Sequence, residues 1–285
     1  MEQRNKRYIS DGNTDTIVTS SNNEKIVNSN NNLEVIFQDY QRHYSDTKNT
    51  ICAVLENLIN KFPEYNLQTR TASIITAETQ GFESVASTLY HPESGQHTLI
   101  ISSNLNLMRY VMFHEFTHMY DSELYVNGNK IRYLGLSGYT EYHASQIELA
   151  QLLGAKHFNN IPSFSMNTII STISRETSIS QYVKDKYNHA IDLFSRSGFP
   201  ENLNILKSAF GVLYNYWGLR SICEMYATDF VEKIDNAAFL KFISSTNFSV
   251  INNIMHGWLD KTKIDLSIPL YTNSILSIIK EYDLK

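Results

Sequence analysis

The run His114-Glu115-Phe116-Thr117-His118 constrains this chain more than any other stretch of it. In a helix, residues i and i+4 lie one above the other, so an HExxH run can present both imidazoles to one point. Two imidazoles converging in this way are half of a tetrahedral zinc site. Glu115, beside them, stands where a carboxylate can act as base towards water. At about 100° per residue, Leu105, Met108, Met112, Phe116 and Met119 form one apolar stripe. His114, Glu115 and His118 fall on the opposite side, with Leu107 and Val111 behind them. The pattern predicts a helix from an Asn104 cap to about Leu124 that buries its back and turns its histidines to a cleft.

A metal held by such a pair needs a third protein ligand and an open fourth position. A third histidine at HExxHxxGxxH spacing would fall at Leu124, so that arrangement is excluded. The next segment, GYTEYHASQIELAQLLG, predicts a helix over roughly Thr140–His157. On it Glu141, Ala144, Ser145 and Glu148 share a face, and Ala144 is small enough for two helices to approach closely. Glu141 is the first candidate for the third ligand, with Glu148 and His143 as alternatives. Tyr139, Tyr142, His143 and His256 are each eligible to stabilise an oxyanion. Asp121, one turn past His118, could orient a ligand imidazole as an acceptor.

Composition narrows the setting. With 42% hydrophobic residues and 19% charged ones the chain reads as globular, neither disordered nor multi-spanning. A formal net charge of -5 gives no general attraction to nucleic acid or to an anionic membrane. Cys52 and Cys223 form no CxxC pair, and neither has the setting of a nucleophile. The first residues lack an apolar run of signal-peptide type, so a cytoplasmic location is expected.

Three segments are expected. Residues 1–32 are a polar N-terminal stretch, 33–160 an α+β unit, and 161–285 an all-helical C-terminal half. The α+β unit should hold a helix over about 45–62, a strand at 71–76, and a hairpin. The hairpin joins Val85–Tyr90 to His97–Ser102 across Pro92-Glu93-Ser94-Gly95. In the C-terminal half, Gly198 should end one helix and Pro200 should open the next near Glu201. The aromatic run Tyr214, Tyr216, Trp217 reads as core, and Arg220 as a structural ion-pair partner.

The order of hairpin strand, Arg109 five positions before the first histidine, HExxH, and Glu141-xx-Ala144 on a second helix resembles the ImmA/IrrE-type metallopeptidases. The resemblance covers about Val85–Leu153 and is compatible with the wider gluzincin group. Phe113 and Phe116 stand where small residues are usual, and no N-terminal helix-turn-helix is visible. The resemblance implies a small zincin-like catalytic unit with His114, His118 and Glu141 on Zn²⁺ and Glu115 as general base. It also implies peptide-bond hydrolysis in a polypeptide substrate. The strand His97–Ser102, expected at a sheet edge, could take that substrate as an added extended strand. The competing expectation is a zinc-stabilised regulatory or protein-binding module that keeps the motif and cuts nothing.

Overall fold

The computed structural model describes residues 66–70, 86–102, 108–155, 160–232 and 235–284, together with 36, 39, 40 and 157. The expected helix over 45–62, the strand at 71–76, the Asn104 cap and the whole of 1–32 lie outside the described residues. The hairpin forms as its turn chemistry dictates. β2 (Ala86–His91) and β3 (Gln96–Ser102) pair antiparallel, Ala86 opposite Ile101. Gly95, at φ +66°, closes the turn by donating to the His91 carbonyl at 2.8 Å. β1 (Asn66–Arg70) lies parallel to β3 on its other side, giving the order β1-β3-β2. His97–Ser102 is therefore the central strand of this sheet and not its edge. The parallel partner, supplied by a stretch with no alternating pattern, covers the side that was expected to stay open.

The motif helix, α1 (Arg109–Tyr125), is followed by a tight reversal in which Asn127 and Gly128 both take positive φ. Asn129 then caps α2 (Lys130–Leu152) by accepting from the Arg132 N–H at 3.0 Å. The contacts Arg109–Gln151, His114–Glu148, Asp121–His143 and Tyr125–Tyr139 climb one helix as they descend the other, so α1 and α2 run antiparallel. α2 begins ten residues before the expected start. Gly135 and Gly138 hide that first stretch, being poor helix formers. Their role is spacing: a Cβ on Gly135 would lie 2.5 Å from Thr272 Oγ1, and one on Gly138 2.5 Å from the Tyr271 ring.

α1 is also less two-sided than its stripe suggests. Met112, Phe113, Phe116, Thr117, Met119, Tyr120 and Asp121 are all buried, so most of its circumference is enclosed. Tyr40 supplies part of that cover, standing edge-on to Phe113 and Phe116 with ring centroids 5.2 and 5.7 Å away. The two phenylalanines thus face another aromatic ring behind the motif.

Past residue 160 a short hairpin of β4 (Ile169–Ser171) and β5 (Glu176–Ser178) precedes α3 (Ile179–Ser195), an interruption of the expected helical run. α4 (Leu203–Tyr226) follows, capped by Asn202; α5 (Ser245–Ile254) and α6 (Lys261–Tyr282) complete the chain. Gly198, at φ +82°, lies three residues past the end of α3, and Pro200 precedes the Asn202 cap. One apolar core runs across residue 160, joining Tyr142, Leu149 and Ala150 to Phe194, Phe210, Tyr214, Trp217 and Tyr271. Each large side chain buried there contributes roughly 1.5–3 kcal/mol. α4 approaches α2 closely at Gly218, where an added Cβ would sit 2.2 Å from the Tyr142 carbonyl. Arg220 is fully buried between Asn252, Met255 and Glu232, the structural role its surroundings favour. No described helix is long and apolar enough to cross a membrane.

Candidate metal centre

Antiparallel packing of α1 and α2 puts the middle of one helix against the middle of the other, and the motif meets Glu141 there. Glu141 Oε2 lies 3.6 Å from His114 Nε2 and 3.8 Å from His118 Nε2, and one ligand atom from each residue falls within 4.8 Å of the others. Tetrahedral zinc with bonds of about 2.0–2.1 Å sets neighbouring donors about 3.4 Å apart. The two edges from Glu141 are only a few tenths of an ångström wider. Of the three third-ligand candidates the structure brings Glu141 to both histidines.

Support for the imidazoles comes from their other nitrogens. His118 Nδ1 lies 2.9 Å from Thr140 Oγ1, the residue before Glu141 on the same helix. His114 Nδ1 lies 2.8 Å from Glu148 Oε2, an ion-pair contact off the axis of the ring N–H. Both arrangements leave Nε2 for the common point, which is how a metal site fixes its tautomers. Glu148, one of the alternatives for the third ligand, thus occupies the outer side of His114.

Charge tells the same story. Burial would push the Glu141 carboxyl up, but His118, His114 and the Lys186 ammonium hold its pKa down at about 2. Glu148 is likewise raised by burial, yet Lys186, His114 and Tyr182 hold it at about 2. Burial pulls His114 towards its neutral form, and the carboxylates of Glu141, Glu148 and Glu115 outweigh it, carrying the imidazole up to about 10. Glu115 is buried, and its Oε2 has no hydrogen-bond partner among the described residues. A buried, unsatisfied carboxylate oxygen beside two imidazoles is costly unless a ligand or water completes it. The donor set, its spacing and this oxygen all fit zinc.

Sequence reasoning missed the contribution of the second half. Tyr182 on α3 donates its hydroxyl to Glu148 Oε1, and Lys186 follows one turn later. Gly211 on α4 lies behind Glu141, where an added Cβ would sit 3.5 Å from Oε1. The only available signal was the i, i+4 pairing of Tyr182 with Lys186, which is common on any half-buried helix.

The remaining candidates are committed elsewhere. His143 Nδ1 lies 3.0 Å from Asp121 Oδ1, and the His143 ring stacks on Tyr139 at 5.5 Å. Asp121 therefore serves His143 and does not orient His114 or His118. Tyr139 turns its hydroxyl to His143 Nδ1 at 3.4 Å. Tyr142 is fully buried and donates to the Gly257 carbonyl at 2.6 Å. His256 pairs with Glu224 at 2.7 Å and borders the Arg220 guanidinium. None of these five belongs to the donor cluster. Arg109, carried by the resemblance, reaches outward to Asp39 at 2.8 Å and to Gln151 at 3.0 Å.

No family model matches this chain, and no match was found among curated proteins or solved structures.

Proposed function

We propose that the chain is a zinc-dependent metallopeptidase in which His114, His118 and Glu141 hold the ion and Glu115 is the general base. The observation that carries this reading is the approach of Glu141 to both imidazoles beside a buried carboxylate whose Oε2 is unsatisfied. When bound, zinc supplies Lewis acidity that acidifies water and polarises a carbonyl. Glu115 takes a proton from the attacking water and returns it to the leaving amine. Thr140 and Glu148 keep the imidazoles aimed, and Glu141 completes the ligand set from the neighbouring helix. A purely structural site has no use for a base at Glu115, which favours hydrolysis over a zinc-stabilised binding module.

The test is metal analysis and cleavage of a mixed peptide library by the wild type and by Glu115→Gln. About one zinc per chain is expected in both, with hydrolysis falling by at least ~10²-fold in the variant. A wild type that holds zinc and cuts nothing assigns the chain to the binding-module class.

A further inference from the structure

The two histidines of the centre are supported from different parts of the chain. His118 leans on Thr140, a neighbour of the third ligand on α2. His114 leans on Glu148, and Glu148 in turn is held from α3, beyond residue 160. We propose that Tyr182 is a positioning residue for the metal centre: its hydroxyl fixes the Glu148 carboxylate so that the opposite oxygen aims His114 at the ion. The inference rests on the metal-site reading above and adds a residue and a route to it.

The geometry is economical. A carboxylate has two oxygens; Oε1 accepts from Tyr182, and Oε2 faces His114 Nδ1 at 2.8 Å. Glu148 is buried, with its side chain 7% exposed, so little water is at hand to replace a lost donor. A carboxylate left with one oxygen unsatisfied in that setting turns to find another partner. The ring it braces then loses its aim. Outer partners of this kind typically change metal affinity 10–100-fold.

α3 itself is firmly placed. Ser178 caps it by accepting from the Gln181 N–H at 3.2 Å, and the β4-β5 hairpin leads directly into it. That hairpin is fastened to α1 by the Ile173 N–H, which donates to Tyr110 Oη at 2.8 Å. Tyr110 stands one turn before His114 on the same helix. The unit that carries Tyr182 is thus anchored beside the histidine it serves.

The experiment compares zinc affinity in the wild type, Tyr182→Phe, Glu148→Gln and the double variant, with the visible spectrum of the cobalt-substituted protein and the melting temperature of the metal-free form. Tyr182→Phe should weaken zinc binding by roughly 10–100-fold and shift the cobalt spectrum, while the metal-free form, short of one buried hydrogen bond, still melts cooperatively. The double variant should bind no more weakly than Glu148→Gln alone, because the hydroxyl acts only through that carboxylate. Unchanged affinity in Tyr182→Phe, additive losses in the double variant, or loss of the cooperative metal-free transition each overturn the assignment. A wild type that takes up no zinc is a different result: it removes the metal-site reading, and the positioning role falls with it.

Discussion

The interface between α1 and α2 carries two histidine–carboxylate clusters, Asp121 of one standing one turn past His118 of the other. In one, His143, Asp121 and Tyr139 satisfy each other: the imidazole nitrogen lies 3.0 Å from Asp121, and the tyrosine ring covers the histidine face. In the other, Glu141 stands 3.6 Å from His114 and 3.8 Å from His118 across their nearest ligand atoms, too far to hydrogen-bond and close to the edge of a zinc tetrahedron. Imidazole and carboxylate are common to both. What differs is whether the donors close on one another or are held back from each other by outside partners. Thr140 and Glu148 do the holding back.

The contrast is broken most severely by removing one histidine from each cluster. His114→Ala should abolish stoichiometric zinc binding, while His143→Ala should retain about one ion per chain. Equal zinc in the two variants, read by elemental analysis, removes the distinction. A smaller effect is expected at the closed cluster. Asp121→Ala leaves a buried imidazole without its acceptor and should cost about 1–3 kcal/mol. Denaturant melting of the metal-free protein measures it, and zinc content should stay as in the wild type.

The smallest effect separates the clusters by pH. His114 in the metal-free protein has its pKa carried up to about 10, so an incoming ion must displace its proton. Apparent zinc affinity should rise roughly tenfold per pH unit between pH 7 and 8. The stability of the metal-free protein runs the other way. Its His114 contribution is complete below the ordinary value of 6.5 and is lost as the pH climbs towards 10. Glu141 and Glu148, held at about 2, stabilise the fold above their ordinary 4.5 and lose that contribution only as the pH falls towards 2. Isothermal titration of zinc and melting curves across that range check both slopes. A flat affinity would place no proton on His114.

How much of this was legible follows from how local each feature is. The i, i+4 spacing of His114 and His118 is a property of helix geometry alone, and the shared face of Glu141 and Glu148 is another. Both survive in the structure, although Glu141 sits in the middle of α2 and not at its start. The start was hidden because Gly135 and Gly138 answer to Thr272 and Tyr271, more than 130 residues away. Asp121 was placed on the correct side of α1, but its partner belongs to the facing helix, which a single-helix projection omits. The central position of β3 was out of reach for a similar reason: β1 pairs with it in parallel across the chain, without a turn to announce it. Tyr182 carried no signal at all, since its role depends on which helix α3 packs beside.

One core passes through residue 160, with Tyr142, Leu149 and Ala150 on one side of that point and Phe194, Phe210, Trp217 and Tyr271 on the other. A chain cut after Gly154 would therefore not give two independent proteins. Each piece would carry half of an unfinished interior, and the two should find each other and reassemble without a covalent link. All three residues of the proposed metal site would travel with the first piece and Tyr182 with the second. Recovery of tight zinc binding on mixing would then report, with no label attached, that the halves had rejoined.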